Sequence, residues 1–376
     1  MSLSLRRVSV MGTGSFLPND PVPNDRIDEV LGSLKDAPSR VQAFIKNIGP
    51  RMLNTGGVEY RHFAVDPDTG CLTHTTASIA AEAARRALQA AGKEPSDVDL
   101  LLLSSPFYDQ MTPPTSASLQ EQLGIEHCAE MEIHSNCSGV GKCMQVAFDA
   151  LRLGRYKTAL VTYCQHSSVY LRSCFFNQAR MTKTQAALRY ILADGGGAVV
   201  LEANDAEPDA AVPHELIGTF VESIGGKRKP GMTAGAGIAD MMNCDGRLPD
   251  LFERASHHLD QDFSAVNRDA GRILFEGMVR LVDSLGVDPK EVDHVVASIP
   301  TKQLYEDNVQ RFMDYFHAGS ERMKFRARNT GYCGGASLLL HFDEMVRAGE
   351  ILPVQTVVLH SVESSKWMSA GFAVRW

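Results

Sequence analysis

The chain has 376 residues, 44% hydrophobic and 22% charged, with a formal net charge of −8. That is the balance of a globular protein with a large core, and the acidic surplus disfavours a general nucleic-acid binder. The eight cysteines are scattered, with no C-x-x-C and no Cys/His cluster at metal spacing; they read as reduced thiols of a cytoplasmic protein, and no metal is expected.

The opening "MSLSLRRVSVMGTGSFLP" is too short in apolar residues for a signal peptide, and no run of about 18 apolar residues follows, so no membrane span is expected. "RVSVMGTGSFLP" reads as strand and turn. "TASIAAEAARRALQAAG" is an Ala-rich helix closed by Gly92. "VDLLLLSSP" is a strand without polar alternation, as in a sheet covered on both faces. "AEMEIHS" predicts a strand ending near Ser135, and "VGKCMQVAFDALRLGRY" a helix from about Val140 to near Gly154. "KTALVTYC" is again strand. The alternation predicts an α/β fold with a largely parallel sheet.

The pattern then recurs. "AAGKEPSDVDLLLLSS" (90–105) matches "SLGVDPKEVDHVVASI" (284–299), with Gly92, Pro95, Val98 and Asp99 opposite Gly286, Pro289, Val292 and Asp293, an offset of 286 − 92 = 194. "ALRLGRYKTALVTY" (150–163) parallels "MVRAGEILPVQTVVLH" (345–360). A duplicated fold follows, with halves at 1–208 and 214–376 joined through the acidic, proline-containing "ANDAEPDAAVPHE". Two stretches fall outside the repeat: 165–190, read as a cap insertion, and the Gly- and Met-rich 225–250. Insertions on a rigid scaffold usually shape a binding site.

"EIHSNCSGVGKC" (132–143) places Cys137 where a strand gives way to a helix. The N–H groups and dipole of a helix N-terminus lower a thiol pKa and can hold an oxyanion. Small neighbours leave room for a substrate. On local chemistry alone Cys137 is either a nucleophile or a buried structural cysteine. Cys143, two turns into the helix on its apolar side, reads as core.

Taken together, "GTGSFLPNDPVPND" (12–25), "GVEYRHFA" (57–64), "NCSGVGKCMQVAFDAL" (136–151), "LADGGGAVVLEA" (192–203), "RNTGYCGGAS" (328–337) and "SAGFAVRW" (369–376) resemble the thiolase superfamily, and within it the β-ketoacyl-acyl-carrier-protein synthase III group. The resemblance implies a thiolase-like αβαβα layered fold with two pseudo-symmetric halves. It implies a homodimer with no bound cofactor, acting on acyl-CoA or acyl-carrier-protein thioesters. It puts the acyl-carrying nucleophile on Cys137, and an oxyanion hole on the Cys137 N–H with Ala370 or Gly371. The family's asparagine, in a G-N-T-x motif, reads onto "RNTG" as Asn329. A loop residue bonding its own backbone is the bland alternative.

One member departs. The family histidine falls on Ser298 in "DHVVASIPTKQL" (293–304), and 295–316 hold no histidine. Serine is no useful base at neutral pH, and loss of a positioned acid–base costs roughly 10²–10⁴-fold. The residue is a natural variant, the mark of a member that works with a partner subunit, or an engineered replacement. His134, His166, His317 and His360 are other imidazoles that fold geometry can bring near. The reading is an acyltransferase working through an acyl-Cys137 intermediate. A decarboxylative ketoacyl synthase and a non-catalytic partner subunit are the alternatives. Lys227, Arg228 and Lys229 in "GGKRKP" form a loop that suits either plain solvation or an acidic carrier and its phosphopantetheine.

Overall fold

The computed structural model describes residues 5–205, 212–243 and 247–376. Part of the linker proposed at 203–215, and Cys244, lie outside the described residues. Nine strands form one continuous sheet: β1 (Arg7–Phe16), β2 (Leu100–Ser105), β3 (Ala129–His134), β4 (Thr158–His166), β5 (Asp194–Asn204), β6 (Glu215–Ser223), β7 (Val292–Ala297), β8 (Thr356–Glu363) and β9 (Met368–Arg375). Their spatial order is β7-β8-β9-β6-β1-β5-β4-β2-β3. Outward from the β6/β1 seam, one side runs first, fifth, fourth, second, third of its own strands. The other side runs first, last, third, second. β2 is parallel to β3 and β4, β7 is parallel to β8, and the remaining pairs are antiparallel.

Helices divide into three layers. α1 (Thr76–Ala91) and α2 (Thr115–Leu123) cover the outer face of the first side. α4 (Phe263–Leu285) and α5 (Lys302–Phe316) cover the outer face of the second. α3 (Gly139–Arg152) and α6 (Ala336–Arg347) lie in the middle and touch strands of both sides. The result is the expected αβαβα layering. The predicted helix after Cys137 is α3, starting one residue earlier than the sequence suggests.

Local chemistry sets these elements. α1 is opened by a capping box between Thr75 and Ser78 and closed by Gly92 at φ +62°. Its alanines let it lie against β1, where a Cβ on Gly14 would run into the Ala83 carbonyl. β2 is buried along its whole length, as its unbroken apolar run predicts. The middle core joins Val140, Cys143, Met144, Ala147 and Leu151 of α3 to Leu338, Leu339, Phe342 and Met345 of α6. Each large side chain there contributes about 1.5–3 kcal/mol by burial. α3 also sits close on β9: a Cβ on Gly141 would fall 2.6 Å from the Ala370 Cβ and 2.8 Å from the Gly371 nitrogen. Among the described residues no helix is long and apolar enough to cross a membrane, and the seven described cysteines are free.

Two histidines are locked in these layers as neutral rings. Burial, with Arg326 adding, pushes His341 down to about 3. Burial, with Arg280 adding, does the same to His360. An unfolded histidine titrates near 6.5, so below that pH the unfolded chain binds protons the fold refuses. Stability contributed by the neutral rings is therefore intact above about pH 6.5 and is lost as pH falls toward 3, by up to ~1.4 kcal/mol per histidine per pH unit. Melting temperature should drop steadily from pH 7 to 5, and His360→Gln should show a shallower drop. Parallel slopes for the two proteins would contradict this assignment.

Candidate active site

Cys137 lies in the turn between β3 and α3, two residues ahead of the first residue of α3. Its sulfur is 3.1 Å from the Tyr332 hydroxyl. Tyr332 is held in the loop before α6: its carbonyl accepts from the Ala193 N–H at 3.0 Å, and Gly331, at φ +71°, turns the chain into contact with Ala193 and Arg61 where no Cβ fits. Ser298 follows directly on β7, is buried, and anchors its N–H on the His360 carbonyl at 3.1 Å. Its hydroxyl is 3.3 Å from the Tyr332 oxygen and 3.0 Å from the Gly334 carbonyl.

Ser298 Oγ donates toward both the Tyr332 oxygen and the Gly334 carbonyl, which leaves the Tyr332 hydroxyl hydrogen for the Cys137 sulfur. None of these groups is a base at neutral pH, so the network holds the sulfur without drawing its proton away. Burial also raises the Tyr332 hydroxyl well above its usual pKa.

The turn is clamped from β8. Ser361 Oγ donates to the Cys137 carbonyl at 2.7 Å. Glu363, two residues on along the same strand, accepts from Ser135 Oγ at 2.7 Å and from Ser138 Oγ and N–H at 2.5 and 3.2 Å, and from the Ser365 hydroxyl. Lys142 completes the cluster by donating to Ser135 Oγ at 2.7 Å. Burial pushes the Glu363 carboxyl up, but the hydrogen bonds from Ser138, Ser365 and Ser135 and the Lys142 charge bring it below the usual carboxylate value, so it is an anion at neutral pH.

The thiol corrects a sequence expectation. Burial pushes Cys137 up to about 12; the Tyr332 hydrogen bond opposes this and the Glu363 charge adds to it. A helix N-terminus lowers a thiol pKa when its N–H groups are free for the sulfur. Here Glu363 already occupies that position.

Two cavities meet at the sulfur. The larger, about 610 Å³, is walled by Phe107, Tyr108, His134, Gln165, Tyr170, Met232 and Thr233, together with Lys142 and Glu363. The smaller, about 110 Å³, is mostly apolar, with Ile191, Leu192, Phe263, Val266, Leu274 and Leu304 around Ser298 and Tyr332. Both singled-out stretches, 165–190 and 225–250, supply wall residues to the larger cavity. Among the described residues no group of three His, Cys, Asp or Glu could hold a metal.

A family model described as 3-oxoacyl-[acyl-carrier-protein (ACP)] synthase III matches residues 131–219, the stretch carrying the Cys137 turn and α3. Among solved structures, AbyA1, a tetronic acid condensing enzyme, is 25% identical over 98% of this chain and 100% of its own, with a TM-score of 0.77. The 3-oxoacyl-(acyl carrier protein) synthase III of Pseudomonas aeruginosa PAO1 is 21% identical over 99% and 98%, with a TM-score of 0.74. A variant of OleA from Xanthomonas campestris is 17% identical over 99% and 97%, with a TM-score of 0.76. The chain has the thiolase-like fold of these condensing enzymes, and its segment 131–219 matches the synthase III model.

Within that frame the structure moves two of the residues read from the sequence. Asn329 is exposed on the turn before Gly331 and lines neither cavity at Cys137. The G-N-T-x motif has a second reading three residues on, Gly331-Tyr332-Cys333-Gly334, which puts Tyr332 in the asparagine's place; the aromatic ring disguises it in the sequence. Ala370 and Gly371 lie inside β9, paired with β8 on one side and β6 on the other, so the sheet ladder takes their N–H groups. The residues of that hairpin that reach the cavities are Val362–Lys366 and Met368, at and beside its turn.

None of the other imidazoles is bonded to the sulfur among the described residues, although His134 lines the larger cavity. His134 is exposed beside Tyr108, with ring centres 5.7 Å apart. His317 is exposed at the end of α5, and His166 lines a separate cavity. His360 faces Gly277 of α4, away from the sulfur.

Tyr332→Phe deletes the hydrogen bond that favours the thiolate. Alkylation of Cys137 by iodoacetamide should then be slower than in the unaltered protein at every pH from 7 to 10, read by mass spectrometry of the Cys137 peptide. Faster alkylation would mean that the hydroxyl does not help hold the sulfur.

Proposed function

We propose that the chain is an acyltransferase that carries its acyl group as a thioester on Cys137. The observation that supports this is the position of the sulfur, at the junction of two cavities. Transfer needs one space for the acyl group and one for the arm that delivers it. The Cys137 sulfur attacks the carbonyl of a coenzyme A or carrier-protein thioester. A new C–S bond forms, the old one breaks, and the thiol proton leaves on the departing thiol, with the Tyr332 hydroxyl as its hydrogen-bonding partner. An acceptor hydroxyl or amine then attacks, and its proton goes to Cys137 as the sulfur departs.

Ser298 stands where the resemblance puts a histidine. With no imidazole bonded to the sulfur among the described residues, decarboxylative condensation is the less favoured chemistry. Two of the matched proteins are described as a tetronic acid condensing enzyme and a 3-oxoacyl-(acyl carrier protein) synthase III, which supports a biosynthetic setting for this chain. A second copy of the chain is the expected partner, by resemblance. An acidic carrier protein or coenzyme A suits the exposed Lys227–Lys229 loop, tied to the cavity rim by the Lys366 ammonium on the Arg228 carbonyl at 2.6 Å.

Incubation with acyl-coenzyme A thioesters of several lengths should add one acyl mass per chain, absent in Cys137→Ala. No adduct with any donor sinks the reading. It would favour the non-catalytic subunit, which the neutral, base-free thiol also suits. Reversing charge at Lys227 and Lys229 should raise KM for a carrier-bound donor several-fold with little change in kcat. An unchanged KM removes the loop from the docking surface.

A further inference from the structure

Glu363 is a charged feature of the site that neither the sequence reading nor the proposed transfer uses. It is 2% exposed, at the end of β8 in the second half of the chain, and its hydrogen-bonding partners Ser135 and Ser138 bracket Cys137 from the first half. The Ser138 N–H, at the N-cap of α3, is one of the donors it takes. Helix N-termini leave several N–H groups in want of an acceptor, and an anion there is stabilised by the macrodipole. A sulfur anion at Cys137 would need the same place. Two negative charges cannot share it cheaply.

We propose that Glu363 is a positioning residue for Cys137: its carboxylate occupies the α3 N-terminus, fixes the nucleophile turn jointly with Ser361, and keeps the sulfur a neutral thiol until a substrate arrives. The thiol is thereby protected from indiscriminate alkylation and oxidation, which need the thiolate.

Other charged and titratable groups face the cluster. Lys142 on α3 is hydrogen-bonded to Ser135, and it offsets part of the Glu363 charge. Tyr163 on β4 and Tyr332 are both raised well above the usual phenol pKa, by burial first, and are neutral. His134 and Lys366 line the larger cavity. Ser135, Ser138 and Ser365 all point donors at Glu363, so its oxygens are committed. That arrangement suits a fixed charge rather than a base that picks up protons.

The proposal concerns the sulfur itself and does not require that the acyl-transfer reading be right, because alkylation reports the thiol whatever its substrate. The probe is iodoacetamide on the full chain, from pH 7 to 11, with the Cys137 peptide quantified separately from those of the other cysteines. Glu363→Gln keeps the shape and removes the charge. It should speed alkylation at fixed pH, roughly tenfold for each pH unit by which the midpoint falls. Lys142→Met leaves the carboxylate without its nearby cation and should slow alkylation. An unchanged or slower rate in Glu363→Gln, or a faster one in Lys142→Met, overturns the proposal. If Glu363→Gln does not fold, the sign of the Lys142→Met effect decides alone. A Glu363→Gln variant that loses transfer while its alkylation profile stays put would make Glu363 a base toward the acceptor, and that too overturns it.

Discussion

A helix packed between strands on both sides of it has to find acceptors for its first N–H groups within the protein wherever water does not reach them. α3 is such a helix. It lies in the middle layer with strands of both sides against it, and its N-terminus opens at the inner end of the larger cavity. The carboxylate of Glu363 answers that need from the opposite half of the chain. The placement of the Cys137 turn, the charge beside the sulfur and the mutual anchoring of β8 and α3 all follow from this pairing. It adds to burial, the larger cause, in raising the Cys137 thiol above the range of a cysteine at a bare helix end.

Around the sulfur the neutral groups form a relay without a terminus. Tyr332 and Ser298 both stand in hydrogen-bonding reach of their neighbours, yet the last acceptor is the backbone carbonyl of Gly334. A thiol in such a setting acquires its reactivity from what enters the cavity. A thioester brings its own leaving sulfur, which can take up a proton. An alkylating agent such as iodoacetamide, which leaves as iodide, brings no such help.

Much of the scaffold was legible in the sequence because it rests on short-range signals. The unbroken apolar run of β2, the capped alanine helix α1 and the offset between Gly92 and Gly286 each carry their meaning locally. Cys137 was legible for the same reason, since small residues and a following amphipathic helix announce a strand-to-helix turn. The partners of that cysteine were not. Glu363 is 226 positions away and looks like any charged strand end until β8 is seen beside the turn. Tyr332 was hidden by register: the asparagine three residues earlier satisfied the motif by type. Only the turn at Gly331 decides which side chain faces inward. Ala370 and Gly371 were placed by resemblance to a Gly-rich C-terminal segment, and resemblance does not reveal that a strand with two neighbours has no N–H to spare.

The close seat of α3 on β9 has an implication for how such a site can change. With Gly141 pressed against the backbone at Ala370 and Gly371, the floor beneath Cys137 has no depth to give. A wider or differently shaped substrate space must come from the walls formed by residues 165–190 and 230–237, which belong to the stretches that break the internal repeat. Variation in substrate range among chains built this way is thus expected to concentrate in those walls, while the helix beneath them stays the same.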